Sequence, residues 1–361
     1  MKFFISLLSS LFILSLGILL ALTLVAFIGE SPLLVLKILI SGSLGGTREI
    51  ANSLFYATPF IFTGLSVAWA FQVGLFNVGA EGQMLMGGIA VTSLGILLPD
   101  LSPVVAIPLA FFVAFLIGGL WGAIAGWVKV ARGAHEVLVT ILLNFVAFGA
   151  SSFFILNVFR NPESQNPETF EIGPHYFLSS LSFFDPSSPL NQMIYVAIFC
   201  ALVFSMVFRK TILGFYQRMS GAAPGVALRS GIFIDRQIIF AMFISGGLAG
   251  LASCGTIMGY AHKAREGFAN GAGFIGIAVA LLGRNRASGV VLSAILFGAL
   301  AKGSLDLDLD TQFVTRDLAL VIQACIVIVV ASQPGIELFY RNVLQPRLLA
   351  KYFTKYAESK K

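Results

Sequence analysis

The stretch VVAIPLAFFVAFLIGGLWGAIAGWV, residues 104–128, runs for 25 residues without a charge. As a helix it would be about 37 Å long, enough to cross a hydrocarbon layer about 30 Å thick. In such a layer only a helix or a closed barrel satisfies its own backbone, so the stretch predicts a membrane-crossing helix. Similar apolar runs lie on both sides of it, at residues 7–27, 52–71, 82–98, 136–158, 192–208, 237–258, 271–282, 289–300 and 318–331. The predicted fold class is therefore all-α, a polytopic transmembrane helical bundle of about ten spans. Spans 271–282 and 289–300 are short for a full crossing, and only the polar turn 72–81 separates 52–71 from 82–98.

Composition points the same way. Of 361 residues 57% are hydrophobic and 11% charged, with a mean hydropathy of +0.91, whereas soluble domains carry about 25% charged residues. The 34 phenylalanines suit packed and lipid-facing surfaces, and the 37 glycines let helices approach closely. The three cysteines, Cys200, Cys254 and Cys325, sit inside apolar runs without metal-like spacing and read as small buried residues. The first run, after Lys2, is too long for a signal-peptide core and lacks a small-x-small cleavage site, so it is expected to be a retained helix.

Cytoplasmic loops retain an excess of Lys and Arg. With both termini inside, only Lys37, Arg48, Arg160, Lys263, Arg265, Lys302 and Arg316 fall outside, which leaves 16 of the 23 basic residues inside. N-in and C-in is the favoured orientation. The expected organisation is an N-terminal helix with an outer amphipathic segment (1–50), a membrane-embedded core (51–335) containing a cytoplasmic loop (209–236), and a basic tail (336–361). The tail supplies much of the net charge of +6. Beside a last span it suits anionic lipid headgroups, not nucleic acid.

Two loops are long. The outer one, about 159–191, is rich in Asn, Pro and Ser. The inner one, 209–236, contains Gly221-Ala222-Ala223-Pro224-Gly225-Val226-Ala227-Leu228-Arg229-Ser230-Gly231, which reads as a short helix bracketed by glycines, with Pro224 near its start and Gly231 as its cap. Such a helix suits a groove on another protein; an ordinary connecting loop is the plainer reading.

This loop resembles the coupling segment of the permeases of bacterial ABC importers for simple sugars and nucleosides. Leu75-Phe76-Asn77-Val78-Gly79-Ala80-Glu81-Gly82-Gln83-Met84-Leu85-Met86-Gly87 and Gly133-Ala134-His135-Glu136-Val137-Leu138-Val139-Thr140-Ile141-Leu142-Leu143-Asn144 are similar to two further hallmarks of that family. The resemblance covers roughly residues 52–331. It implies a non-enzymatic transporter subunit of the bacterial cytoplasmic (inner) membrane, with Gly221, Ala222, Ala223, Pro224, Gly225, Ala227, Arg229, Ser230 and Gly231 docking an ATPase subunit. It also implies a second, homologous permease and a substrate-binding lipoprotein as partners. The nucleoside branch is the nearest, with a purine nucleoside as solute; riboflavin or a simple sugar is the alternative. No G-x-x-x-x-G-K-[ST] motif occurs in the chain, so ATP and Mg are expected on the separate ATPase.

Polar residues inside the apolar frame default to function. Asn77, Glu81 and Gln83 cluster in a stretch broken by Gly74, Gly79 and Gly82, and with Phe76 beside them they are candidates to line the solute pathway. The plainer reading is a solvated turn with Glu81 near a helix N-terminus. Asn144 falls eight residues after Glu136, on one helix face, either towards the pathway or in an interhelical hydrogen bond. No His or Cys pair has ligand spacing, and no metal site is expected. Glu81-Gly82 before Gly88-Ile89-Ala90-Val91, and Glu266-Gly267 before Gly276-Ile277-Ala278-Val279, form a faint echo in oppositely directed spans, which suggests an inverted repeat. An ion-coupled secondary carrier is the rival of another class. It needs a titratable relay, and no acid is expected near mid-span.

Overall fold

The computed structural model describes residues 2–183 and 185–310, together with Val321, Ala324, Cys325, Ile328 and Val329. Most of the predicted span 318–331 and the whole tail 336–361 lie outside the described residues. The chain divides into two units, one of residues 37–310 and the other of residues 1–36 with 311–361. In the second unit helix α1 (Lys2–Ile28) covers the first predicted span, and α2 (Pro32–Leu44) leads into the larger unit.

The larger unit is helical apart from isolated β-bridges. It contains α3 (Thr47–Gln72), α4 (Ala80–Leu97), α5 (Pro103–Arg132), α6 (Glu136–Phe153), α7 (Met193–Lys210), α8 (Ile212–Ala222), α9 (Pro224–Arg229), α10 (Ile234–Thr256), α11 (Ala272–Leu282) and α12 (Ala287–Asp310). π-Helical turns extend α6 to Val158 and α10 to Ala261. Among the described residues seven helices are long and apolar enough to cross a membrane: α3, α4, α5, α6 to Val158, α7, α10 to Ala261, and α12 to Leu307.

Two expectations change. The short span 289–300 belongs to α12, which has 24 residues. The other, 271–282, is a true half-helix: the 11 residues of α11 reach about 16 Å, half of a hydrocarbon layer. Its position shows where it stops. A Cβ on Gly276 would lie 2.6 Å from Thr63 Cβ, near the middle of α3, while Gln72 Nε2, at the end of α3, donates to Asn285 O just beyond α11 at 3.1 Å. α11 therefore runs from the middle of α3 to its end.

Sequence neighbours are not the packing neighbours. α11 packs mainly on α3, and α4 mainly on α5 and α10, while α3 and α4 barely touch. The closest helix pair is α5 with α10. Gly118 and Gly122 of α5 face Gly246 and Gly250 of α10, and a Cβ on Gly118 would come within 2.5 Å of Gly246 O. Small residues are required there because no hydrophobic effect drives helices together in lipid, and close backbone contact supplies the attraction instead.

The unit has two polar faces. On one lie the ends of α3 and α11, the α5–α6 turn, and α8 with α9. On the far face the loop between α6 and α7 folds back onto the link between α10 and α11. Thr169 N donates to Ala264 O at 3.0 Å and Ile172 N to His262 O at 2.9 Å. Buried Glu168 receives Ser164 Oγ at 2.7 Å and both Lys263 Nζ and Arg265 Nε at 2.9 Å. The Lys263 and Ser164 hydrogen bonds, with help from Arg265, pull its carboxyl down to about 2. A depressed carboxylate stabilises the fold above its unfolded-state value near 4.5, and that contribution is lost as pH falls towards 2. Glu168→Gln is expected to lower the stability of the detergent-solubilised protein by about 1 kcal/mol at pH 6. The difference from the parent should shrink as the pH falls from 4.5 to 2 in thermal unfolding.

Candidate functional site

α3 ends in a left-handed turn at Gly74, φ +73°, where Gly74 N donates to Phe71 O and Leu75 N to Ala70 O. The chain then continues into the protein as a non-helical segment, residues 75–79. Leu75 and Asn77 are buried, so the turn predicted between the second and third spans is not a solvated one. Non-helical backbone at this depth survives only if its polar groups are paired inside the protein, and here side chains do the pairing. Phe76 N donates to Glu136 Oε1 at 3.3 Å, and Gly79 N to Asn77 Oδ1 at 2.9 Å. Asn144 works on both sides of the break, donating to Val78 O and accepting from Gly82 N, each at 3.0 Å. Glu136 and Asn144 thus share one face of α6, as their spacing predicted, and Lys129 Nζ lies 2.6 Å from Glu136 Oε2.

Asn77 and Gln83 form a reciprocal amide pair, at 2.8 and 3.1 Å. Asn77 Nδ2 also reaches Ser245 Oγ of α10 at 2.8 Å, and Ser245 Oγ donates to Ser66 O of α3 at 2.7 Å. Three helices and the non-helical segment are tied at one buried point. Phe76 is half-buried and stacks on Phe71, with centroids 5.2 Å apart. Ser66 and Ser245 carried no signal in the sequence, because single serines are ordinary in apolar helices.

Glu81, only 3% exposed, lies in the first turn of α4 and accepts from Gly271 N at 2.9 Å and Gly273 N at 2.6 Å. The N-termini of α4 and α11 therefore meet head to head, and one carboxylate sits at both positive helix ends. Gly273 has to be glycine, because a Cβ there would overlap the backbone of Ala80 and Glu81. The expectation that no acid lies near mid-span is overturned by Glu81, which sits level with the middle of α3. Its partners are backbone amides and not a second titratable group, so it is a clamp and not a step in a relay. Asn77, Glu81, Gln83 and Asn144 are brought together around the start of α4.

On the α8–α9 face the structure refines the predicted short helix. Gly221 and Ala222 end α8, Ala223 is the break, and Pro224 opens α9. α9 closes in a Schellman motif: Gly231, φ +78°, donates to Leu228 O and Ile232 N to Ala227 O. Ala227 points inward and is fully buried, whereas Gly225, Val226, Leu228, Arg229, Ser230 and Gly231 are exposed. Leu228 at 65% and Phe233 at 63% exposure leave an apolar surface on this polar face. Gly221 touches the turn below: a Cβ there would lie 2.6 Å from Val73 C and 2.7 Å from Gly74 N. The helix pair rests directly on the turn from which segment 75–79 hangs.

The chain is 35% identical to the guanosine ABC transporter permease protein NupP of Bacillus subtilis, over 82% of this chain and 85% of that protein. It is 30% identical to the nucleoside ABC transporter permease protein NupB of Lactococcus lactis over 89% of each. It is also 30% identical to the glucose ABC transporter permease protein TsgB13 of Haloferax volcanii, over 77% of this chain and 75% of that one. No solved structure matches. Residues 49–331, from the start of α3 past the half-helix α11, match one family model, and the chain belongs to the family described as the branched-chain amino acid transport system permease component.

Proposed function

We propose that this chain is the membrane-spanning permease subunit of an ATP-driven importer for a nucleoside, with a purine nucleoside as the preferred solute. The observation that carries this reading is the likeness to nucleoside permeases over more than four-fifths of the chain. The more limited likeness to a glucose permease keeps a simple sugar as the alternative. In this reading a lipoprotein delivers the solute to the far face, a second homologous permease completes the pathway, and a separate subunit hydrolyses ATP. The subunit sits in a bacterial inner membrane with ten crossings or part-crossings and both termini inside. In support, Lys129, Arg132, Arg209, Lys210, Arg218, Arg229, Arg236, Arg284 and Arg286 all belong to the face that carries α8 and α9, as the charge count requires.

The proposal also takes the core, within 51–335, as an inverted repeat. α3, α4 and α5 correspond to α10, α11 and α12. In support, the second helix of each set packs on the first helix of the other, α4 on α10 and α11 on α3, and α5 and α12 repeat that exchange. Asn77, Glu81, Gln83, Asn144 and Phe76 then surround the point where the N-termini of α4 and α11 meet, the place where such repeats bind polar solute. The pull of the ATPase on α9 passes through Gly221 to Gly74 and so to the amide cluster.

Three outcomes are expected. Membrane vesicles carrying the assembled importer should take up labelled guanosine, with unlabelled purine nucleosides competing and riboflavin, ribose and glucose not; competition by glucose alone would reassign the solute. Gly225→Trp and Leu228→Asp alter an exposed surface, and each should cut uptake and solute-stimulated ATP hydrolysis more than tenfold while membrane insertion is unchanged. Uptake at the parental rate in both would remove α9 as the docking element. Gly221→Val, which wedges α8 away from Gly74, should leave ATP hydrolysis running while uptake falls.

A further inference from the structure

The far face holds a cavity of about 430 Å³, lined by Arg48, Asn52 and Tyr56 of α3, residues 186–189, Tyr260, and Lys302 and Leu305 of α12. Its place follows from its lining. Arg48 is in the first turn of α3, a helix length from Gln72 and Gly221, and Tyr260 is in the π-turn that ends α10. The cavity therefore lies on the face opposite α8 and α9. The size is that of a small-molecule site.

The polar groups of the lining are unevenly spent. Lys302 Nζ lies 2.9 Å from both oxygens of Asp306, so its charge is already answered. Asn52 accepts from Ser188 Oγ at 3.0 Å through its oxygen, which leaves its NH₂ group unused among the described residues. The guanidinium of exposed Arg48 makes no hydrogen bond or ion pair among the described residues, although its charge acts on Asp185. The Tyr260 ring, 56% exposed, is braced edge-on by Phe55 at 5.4 Å. The cavity therefore offers a free planar fork, a free amide donor and a braced aromatic face, while its second cation, Lys302, is already paired.

We infer that this cavity is a reception site for a neutral, flat, acceptor-rich ring of purine size. Arg48 forks onto two adjacent ring acceptors, as a guanidinium does on the O6 and N7 atoms of guanine. Asn52 donates to a further acceptor, and Tyr260 lies against the ring face. Lys302 is held by Asp306, so recognition falls on Arg48, Asn52 and Tyr260 and hence on the ring. The inference rests on the nucleoside reading above and adds to it a place and a basis for selection.

The test is the kinetics of uptake by the complete importer in vesicles, with guanosine and cytidine as probes. Arg48→Gln and Tyr260→Leu are expected to raise KM for guanosine about tenfold, to change kcat much less, and to raise KM for cytidine less than threefold. Arg48→Lys keeps the charge but not the fork, and should lose as much guanosine affinity as Arg48→Gln. Unchanged KM values in inserted, active variants would overturn the cavity assignment alone. A parental KM in Arg48→Lys would overturn the fork. Absence of nucleoside uptake in the parent importer would overturn the nucleoside reading and the site with it.

Discussion

The structure depends on satisfying a stretch of non-helical backbone inside a membrane protein. An unpaired backbone group in hydrocarbon costs several kcal/mol, and segment 75–79 carries a row of them. Three side chains, Asn77, Glu136 and Asn144, pair with them, and Gln83 holds the Asn77 amide in place; all four are nearly or fully buried. Those residues are thus held in place by the same bonds that hold the segment. The arrangement also brings the first turn of α4 into the interior, which lets Glu81 cap α11 and makes a half-length helix tolerable on the opposite side.

The two ends of this construction reach different faces. On one, Gly221 of α8 sits on the Gly74 turn, so any displacement of α8 and α9 bears on the non-helical segment. On the other, the Glu168 clasp ties the long loop to the link that feeds α11. The head-to-head contact at Glu81 joins them. In the proposed importer a part that both the ATPase and the solute-delivering partner can move is needed, and the α4–α11 junction lies between the two faces.

Much of this was legible in the residues. Charge-free runs marked the long helices, because the hydrocarbon layer imposes length and apolarity on them. Pro224 and Gly231 marked α9, because one fits only a first helical turn and the other readily takes a left-handed cap. The stretch around Asn77 stood out as glycine-broken polarity, but its burial did not show, since the same letters suit a solvated turn. Glu81 was visible as a carboxylate near a helix N-terminus, but its contact with α11 was hidden, because the partners there are backbone amides 190 residues away, which have no side-chain signature. The half-length of α11 was visible as a short span, whereas the full length of α12 was masked by Lys302, Asp306 and Asp308, polar residues that interrupt its apolar run. The part played by Ser66 and Ser245 follows only from three-dimensional packing.

The central claim is that movement at α8 and α9 is transmitted to the α4–α11 junction. Its most direct test is the distance between spin labels at Phe76 and Phe274, measured by double electron–electron resonance in the complete importer, nucleotide-free and ATP-trapped. The account predicts a shift of several ångströms between the two states, absent when Gly221→Val separates α8 from Gly74. An unchanged distance in an importer that hydrolyses ATP and transports its solute would contradict it.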